Sequence, residues 1–349
     1  MVTNNTTSHT PPSIVSYYLG RKIRYEEWRN KDGKRHRTDG PTEIFYYPNG
    51  TIQTEFWYLN GKRDRTDGPA CTAYREDGTI EYEKWYRHNK THRADGPAYI
   101  RYRKDGSISE EQWYRNGQFH RDNGPAIIEY APDGVITSEE YLQKGQPHRE
   151  NGPAQIFYNK NGSIKEEVWY RYGKLDREDG PARTGYRPDG TIDYEEWYRN
   201  GITDREDKPA ITKYSKNGDP QKEFWCKNGQ FHRDNGPAII EYAPDGTIMS
   251  ETWYQDGQPH RENGPAYIEY NLHGGIESEQ WLQDGQRHRT DGPASTRYYK
   301  DGTIESELWC QHGENHRDDG PARVFYNPDG TIKSEQWWQY GEKIEPPAH

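Results

Sequence analysis

Apolar side chains are in short supply: hydrophobic residues fill only 30% of the 349 positions, leucine is scarce and methionine occurs twice. A core of the usual Leu/Ile/Val kind is therefore out of reach, and such a composition taken alone resembles that of a disordered chain. No apolar run approaches the roughly 20 residues that cross a bilayer as a helix. The opening MVTNNTTSHTPPS lacks a basic end followed by an apolar stretch, so no signal peptide of the ordinary kind is expected. Excess positive charge is missing too, the net charge being −10. Long nucleic acid and anionic lipid need Lys and Arg to replace their counterions, so neither is the expected partner.

Aromatic residues, by contrast, make up 14% of the chain and recur at fixed phase. The phase is set by a proline every 28 residues through eleven cycles: Pro41, Pro69, Pro97, Pro125, Pro153, Pro181, Pro209, Pro237, Pro265, Pro293 and Pro321. Around each runs W-Y-x-N-G-x-x-H-R-x-D-G-P-A-x-x-x-Y-x-x-D-G-T-I-x-x-E-x-W-Y, and a fixed period in this range marks a stacked repeat array. Residues 17–342 are read as the array, with tails at 1–16 and 343–349. The tails carry Pro11-Pro12 and Glu345-Pro346-Pro347, which would blunt an edge strand.

Within a repeat, the residue three after the proline is always β-branched, and the fifth is always Tyr, from Tyr46 through Tyr186 to Tyr326. Odd positions are fixed and even ones vary, which is the period of a half-buried strand. An Asx-Gly turn follows, as at Asp77-Gly78, and then a second strand runs to the Trp. Glu stands two before that Trp in all twelve copies, and the Trp is kept in eleven, Tyr141 being the exception. A second tight turn, such as Asn60-Gly61 or Asn116-Gly117, is a strong hairpin signal. The expected fold is all-β: an elongated array of about eleven 28-residue hairpin units forming one long twisted antiparallel sheet. The alternative is a parallel β-helix. Arg four before the proline is present in all eleven copies, and a β-helix would stack each Arg and each Glu on its twin at ~4.8 Å. A meander instead lets Glu of one strand face Arg of the next, with Arg over Trp as a cation–π contact.

Cys226 and Cys310 occupy equivalent positions three repeats apart, roughly 29 Å at two strands per repeat, too far to bridge. With Cys71 they read as small apolar substitutes in a reducing compartment. The Asn-x-Ser/Thr matches at Asn49, Asn89 and Asn161 read as turn residues.

The stretch Glu111-Gln112-Trp113-Tyr114-Arg115-Asn116-Gly117, with His120-Arg121, Gly124, Tyr130 and Asp133-Gly134, resembles a MORN-type repeat. It departs from that family by an insertion around Arg-x-Asp-Gly-Pro-Ala and by Glu in place of the family's glycine before Trp. Similar repeats occur in uncharacterised proteins of large DNA viruses and bacteria. The resemblance implies an extended hairpin sheet serving as a scaffold, often for protein partners. The lipid binding suggested for the family sits poorly with an acidic chain.

Catalysis has no support in the pattern: no Gly-x-x-x-x-Gly-Lys, Cys-x-x-Cys or Gly-x-Ser-x-Gly occurs. The His five before the proline is replaced by Asp64, Asp176 and Asp204 in three copies. Equivalent histidines would lie ~9.6 Å apart, too far to share a metal, while His and Asp can each accept a backbone hydrogen bond in a turn. No metal, cofactor or catalytic residue is assigned. Glu111, Trp113, Arg121, Pro125 and Tyr130 stand for the structural set of one repeat. Tyr58, Tyr86, Tyr114, Tyr170, Tyr198 and Tyr254 project opposite the Trp row, either as an exposed binding stripe or as core on a sheet packed on both sides. Residues 117–154 and 229–266 match at 32 of 38 positions, which points to block copying and hence to a structural role. The expected function is a non-enzymatic, protein-binding scaffold, cytoplasmic or part of an assembly such as a virion. The alternatives are a glycan- or cell-surface-binding module and an antitoxin- or immunity-like binder.

Overall fold

A computed structural model describes residues 10–346, and residues 1–9 and 347–349, Pro347 of the tail among them, lie outside that range. The described residues contain strands and turns and no helix. The chain falls into two units, Met1–Lys174 and Leu175–His349.

In the first unit strand pairing begins at Ile14–Tyr17, which lies antiparallel to Ile23–Glu27. Every later repeat adds a four-residue strand two after its proline and then a second strand, five residues long in all but the last, where it runs on through Trp337 and Trp338. Glu43–Tyr46 pairs with Ile52–Phe56, which pairs in turn with Cys71–Tyr74, and the ladder continues in this way to Ile164–Val168. The second unit repeats the scheme from Arg183–Tyr186 to Ile332–Gln339, with Glu342–Ile344 closing on Trp337–Gln339. Neighbours are consecutive and antiparallel, so the chain is an all-β array of hairpins and the β-helix alternative falls away.

The periodicity translates directly into burial. Ile44, Thr72, Ile100 and their equivalents are all buried, and the residue after the proline is fully enclosed in every copy. The carbonyl of this alanine accepts the amide of the preceding Trp, as from Trp57 to Ala70 at 2.8 Å, or of Tyr141 at Ala154, so the ladder extends past the strand ends. In the first copy Thr42 takes the alanine place, and its hydroxyl accepts from the Tyr58 amide at 3.0 Å.

Two turn types alternate. In the long hairpin, Gly78 has φ 84° and the Tyr74 register shifts by one residue, which marks a type I turn closed by a bulge. The recurrent Asp-Gly-Thr follows from this geometry, because Asp77 Oδ1 accepts both the amide (3.1 Å) and the hydroxyl (2.6 Å) of Thr79. The short hairpin, Tyr58–Leu59 with Lys62–Arg63, turns through Asn60 (φ 49°) and Gly61 (φ 82°), both left-handed. This is the I′ geometry that Asn-Gly favours.

The expectation that Glu faces Arg across strands is corrected here. In register Glu55 stands between Ile44 and Thr72. Sequence period assigns the face correctly but not the partner, and the partner is a tyrosine on the diagonal.

Candidate interaction surface

The structural set of the fourth array repeat is brought together as one linked group. Tyr130 donates its hydroxyl to Glu111 Oε2 at 2.7 Å, nineteen residues back. The same bond recurs from Tyr74 to Glu55, Tyr158 to Glu139 and Tyr242 to Glu223, among others. Burial first, and then the carboxylate, raise these phenols well above their usual range. The Arg121 guanidinium lies 3.9 Å from the Trp113 ring centroid and donates to the Pro125 carbonyl at 3.1 Å. Equivalent Arg-on-ring distances run from 3.6 Å at Trp225 to 4.3 Å at Trp85, and Arg149 sits likewise on Tyr141 at 3.9 Å.

Glycine before the proline has a steric cause in this stack. A Cβ at Gly96 would stand 2.9 Å from Arg93 Cζ. At Arg37, Arg65, Arg93, Arg289 and Arg317 the guanidinium also holds the Asp two residues on, as in Arg65 with Asp67 at 2.9 Å, and this keeps the Asp67 carboxyl below its ordinary range.

The histidines are backbone acceptors, as the Asp exchange implied. His92 Nδ1 accepts the Asn116 amide at 3.2 Å, while the Thr91 carbonyl accepts the next amide, Gly117, at 2.8 Å. Where Asp replaces His the bond is kept, from Asn200 to Asp176 Oδ1 at 2.9 Å and from Asn228 to Asp204 at 3.3 Å. One repeat thus caps two left-handed turn amides of the next. Among the described residues no cluster of three or more His, Cys, Asp or Glu could hold a metal.

Tyr58, Tyr86, Tyr114, Tyr170, Tyr198 and Tyr254 lie opposite the Trp face, but none is exposed. Tyr58 is 6% exposed and its hydroxyl accepts from Arg63 at 2.9 Å. Tyr114 packs on Phe119 with centroids 4.3 Å apart, Tyr254 packs on Phe231 at 5.3 Å, and Tyr86 lies under the Arg63 guanidinium at 5.5 Å. Tyr198 donates to Glu196 at 3.2 Å. The rings tie the short hairpins to the long strands.

Open cavities recur instead between successive His-Arg loops. Three of them, of about 710, 560 and 620 Å³, are floored by Trp85, Tyr141 and Trp253 in turn. In each, a guanidinium covers the floor ring and exposed acidic residues such as Asp67, Asp95 and Glu262 form the rim. Sequence reasoning passed over one further cavity in the second unit, around Tyr267 and Tyr270. One sequence signal for it is the departure of Asn271-Leu272-His273 from the turn consensus.

No protein-family model matches the chain, and none of the curated proteins matches it. Among solved structures, it is similar to alternansucrase in complex with isomaltononaose at 12% identity and TM-score 0.18, over 88% of this chain and 18% of that one. A TcdB2–TccC3 structure is matched at 12% identity and TM-score 0.18, over 94% of this chain and 18% of that one. Choline binding protein F from Streptococcus pneumoniae is matched at 11% identity and TM-score 0.16, over 88% of this chain and 100% of the other. The chain thus spans under a fifth of the length of the first two. Likeness at this level assigns neither family nor activity.

Proposed function

We propose that the chain is a non-enzymatic scaffold that binds other proteins through a repeated surface, free in the cytoplasm or as a component of a larger particle such as a virion. The observation that carries this reading is the use made of the invariant polar side chains. Glu, Tyr, Arg and His or Asp of each repeat are bonded to one another or to the neighbouring repeat, so the copied chemistry holds the array together. What faces outward is a series of near-identical slots with acidic rims. Repetition of one weak site lets a partner with several matching sites bind far more tightly than one contact allows. The MORN-like pattern of the sequence agrees with this reading.

Partner capture with the full chain, followed by affinity measurement on variants, tests it. Asp67→Lys with Asp95→Lys, on the rim of one slot, should weaken a captured partner several-fold, and the same change in two slots should weaken it more than additively. Finding no protein partner and no self-assembly would overturn the reading. The glycan-binding alternative drew its motive from an exposed tyrosine stripe, and half-buried rings under Arg63 and against Phe119 remove most of it. A glycan array probed with wild type and the Tyr86→Ala/Tyr114→Ala variant separates the two.

A further inference from the structure

The repeats are copies nearly everywhere, which makes a departure informative. Position eight after the proline is Asp or Asn in ten of eleven repeats and His273 in the other. Beside it stands Leu272, where other copies have Pro, Lys or Glu. The turn still closes, because Asn271 Oδ1 accepts from His273 at 2.9 Å and from Gly275 at 3.1 Å. Leu272 is therefore not needed by the turn, and it is 82% exposed. One repeat earlier Met249, 41% exposed, fills a position that is polar or charged in every other copy. Both departures border the same cavity, of about 410 Å³, within the range of small-ligand sites.

Its walls are aromatic. Tyr267, Tyr270, Tyr298 and Tyr299 line it. Two of their hydroxyls are committed elsewhere, Tyr270 to Glu251 at 2.9 Å and Tyr299 to the Tyr326 carbonyl at 2.8 Å, so these residues contribute ring rather than hydrogen-bonding capacity. Three carboxylates, Glu241, Glu269 and Glu277, also line the cavity, against Lys300 on the lip. Lys222 pairs with Glu241, so three negative charges face two positive ones and one is left over. Ser278 donates to Glu269 at 3.1 Å, while Glu277 is exposed. Burial first, and then Glu269 and Glu241, raise the Tyr267 phenol above its usual value. The His-Arg slots each contain at least two arginines, and this cavity contains none.

We propose that this cavity binds an organic cation bearing one alkylammonium group, either as a free small amine or as a lysine side chain presented by a peptide. Aromatic faces attract the cation by ~0.5–2 kcal/mol, Met249 and Leu272 meet its alkyl body, and Glu269 and Glu277 supply the counter-charge. Anions are repelled, and neutral polyols lack both the charge and the apolar fit.

Calorimetry on the full chain tests this with two probes, butyltrimethylammonium and a short peptide carrying a single lysine. Saturable binding of either at one site per chain is expected, and the tighter probe identifies the source. Glu269→Gln with Glu277→Gln should weaken it about tenfold or more. Leu272→Ser, at a side chain too exposed to affect folding, should weaken it several-fold. Glu305→Gln, at the position in the next repeat equivalent to Glu277, should leave it unchanged. Failure of both probes to bind, equal binding of a neutral tert-butyl isostere, or indifference to the double substitution would overturn the proposal. None of these results bears on whether the slots bind protein, so the two readings fail separately.

Discussion

His288 Nδ1 accepts the amide proton of His312, twenty-four residues on, at 3.1 Å, and the two imidazoles lie 4.5 Å apart. An acceptor Nδ1 requires a neutral ring with its proton on Nε2, and the imidazolium would turn a donor toward a donor.

A pH dependence follows. Burial, and secondarily His312, hold the His288 pKa below its ordinary value of 6.5. The unfolded chain therefore takes the proton more readily, so this clasp contributes fully above about pH 6.5 and its contribution is lost as pH falls from there. Thermal unfolding should show a lower Tm at pH 5.5 than at pH 7.5. His288→Asp, which copies the arrangement found at Asp176, should flatten that slope, and an unchanged slope would count against the clasp.

Gly96→Ala should destabilise the protein by ~1–3 kcal/mol, read from denaturant midpoints, because the new methyl meets the Arg93 guanidinium at 2.9 Å. Arg93→Ala in the same chain should recover part of the loss. The array shows its own solution to this crowding: Lys208 replaces the glycine in one copy, and the preceding Asp207 adopts φ 56°, a left-handed conformation that Asp tolerates better than most residues.

Tyr130→Phe removes one hydroxyl and leaves the Glu111 carboxylate without that donor. A cost of ~1–2 kcal/mol is expected, with faster hydrogen exchange in the strands Ile108–Gln112 and Ile127–Tyr130. Tyr114→Phe, on the opposite face, should not alter exchange at Glu111.

All three thiols should resist an aromatic disulfide reagent in the native protein and react together in denaturant. Cys71, Cys226 and Cys310 are free and buried, and burial pushes the Cys71 and Cys226 thiols up to about 11. Rapid native reaction of any one would mean that its strand opens readily.

Much of this was legible in the residues. The period located both long strands and both turns, and the alternation of fixed and variable positions assigned the buried face, down to Ala98 and Ile100. The exchange of His with Asp gave away a backbone acceptor, which requires only a lone pair. Partnership across strands was not legible. Glu55 and Arg65 recur with equal regularity, yet Glu55 bonds Tyr74 on the diagonal while Arg65 turns onto Trp57. Spacing fixes a face, whereas side-chain length and twist decide which neighbour is reached. The fate of Tyr114 was equally hidden, because packing against Phe119 depends on how the short hairpin folds back.

The clasp by which His92 and Thr91 receive the amides of Asn116 and Gly117 gives the array a polarity. Each unit lends acceptors downstream and borrows them from upstream. Deleting a leading unit takes away the acceptors that hold two left-handed turn amides in place, whereas deleting a trailing one merely uncovers a ring nitrogen and a carbonyl. Shortened versions should therefore fray from their front, and growth by duplication is least costly when new copies are appended behind an intact predecessor.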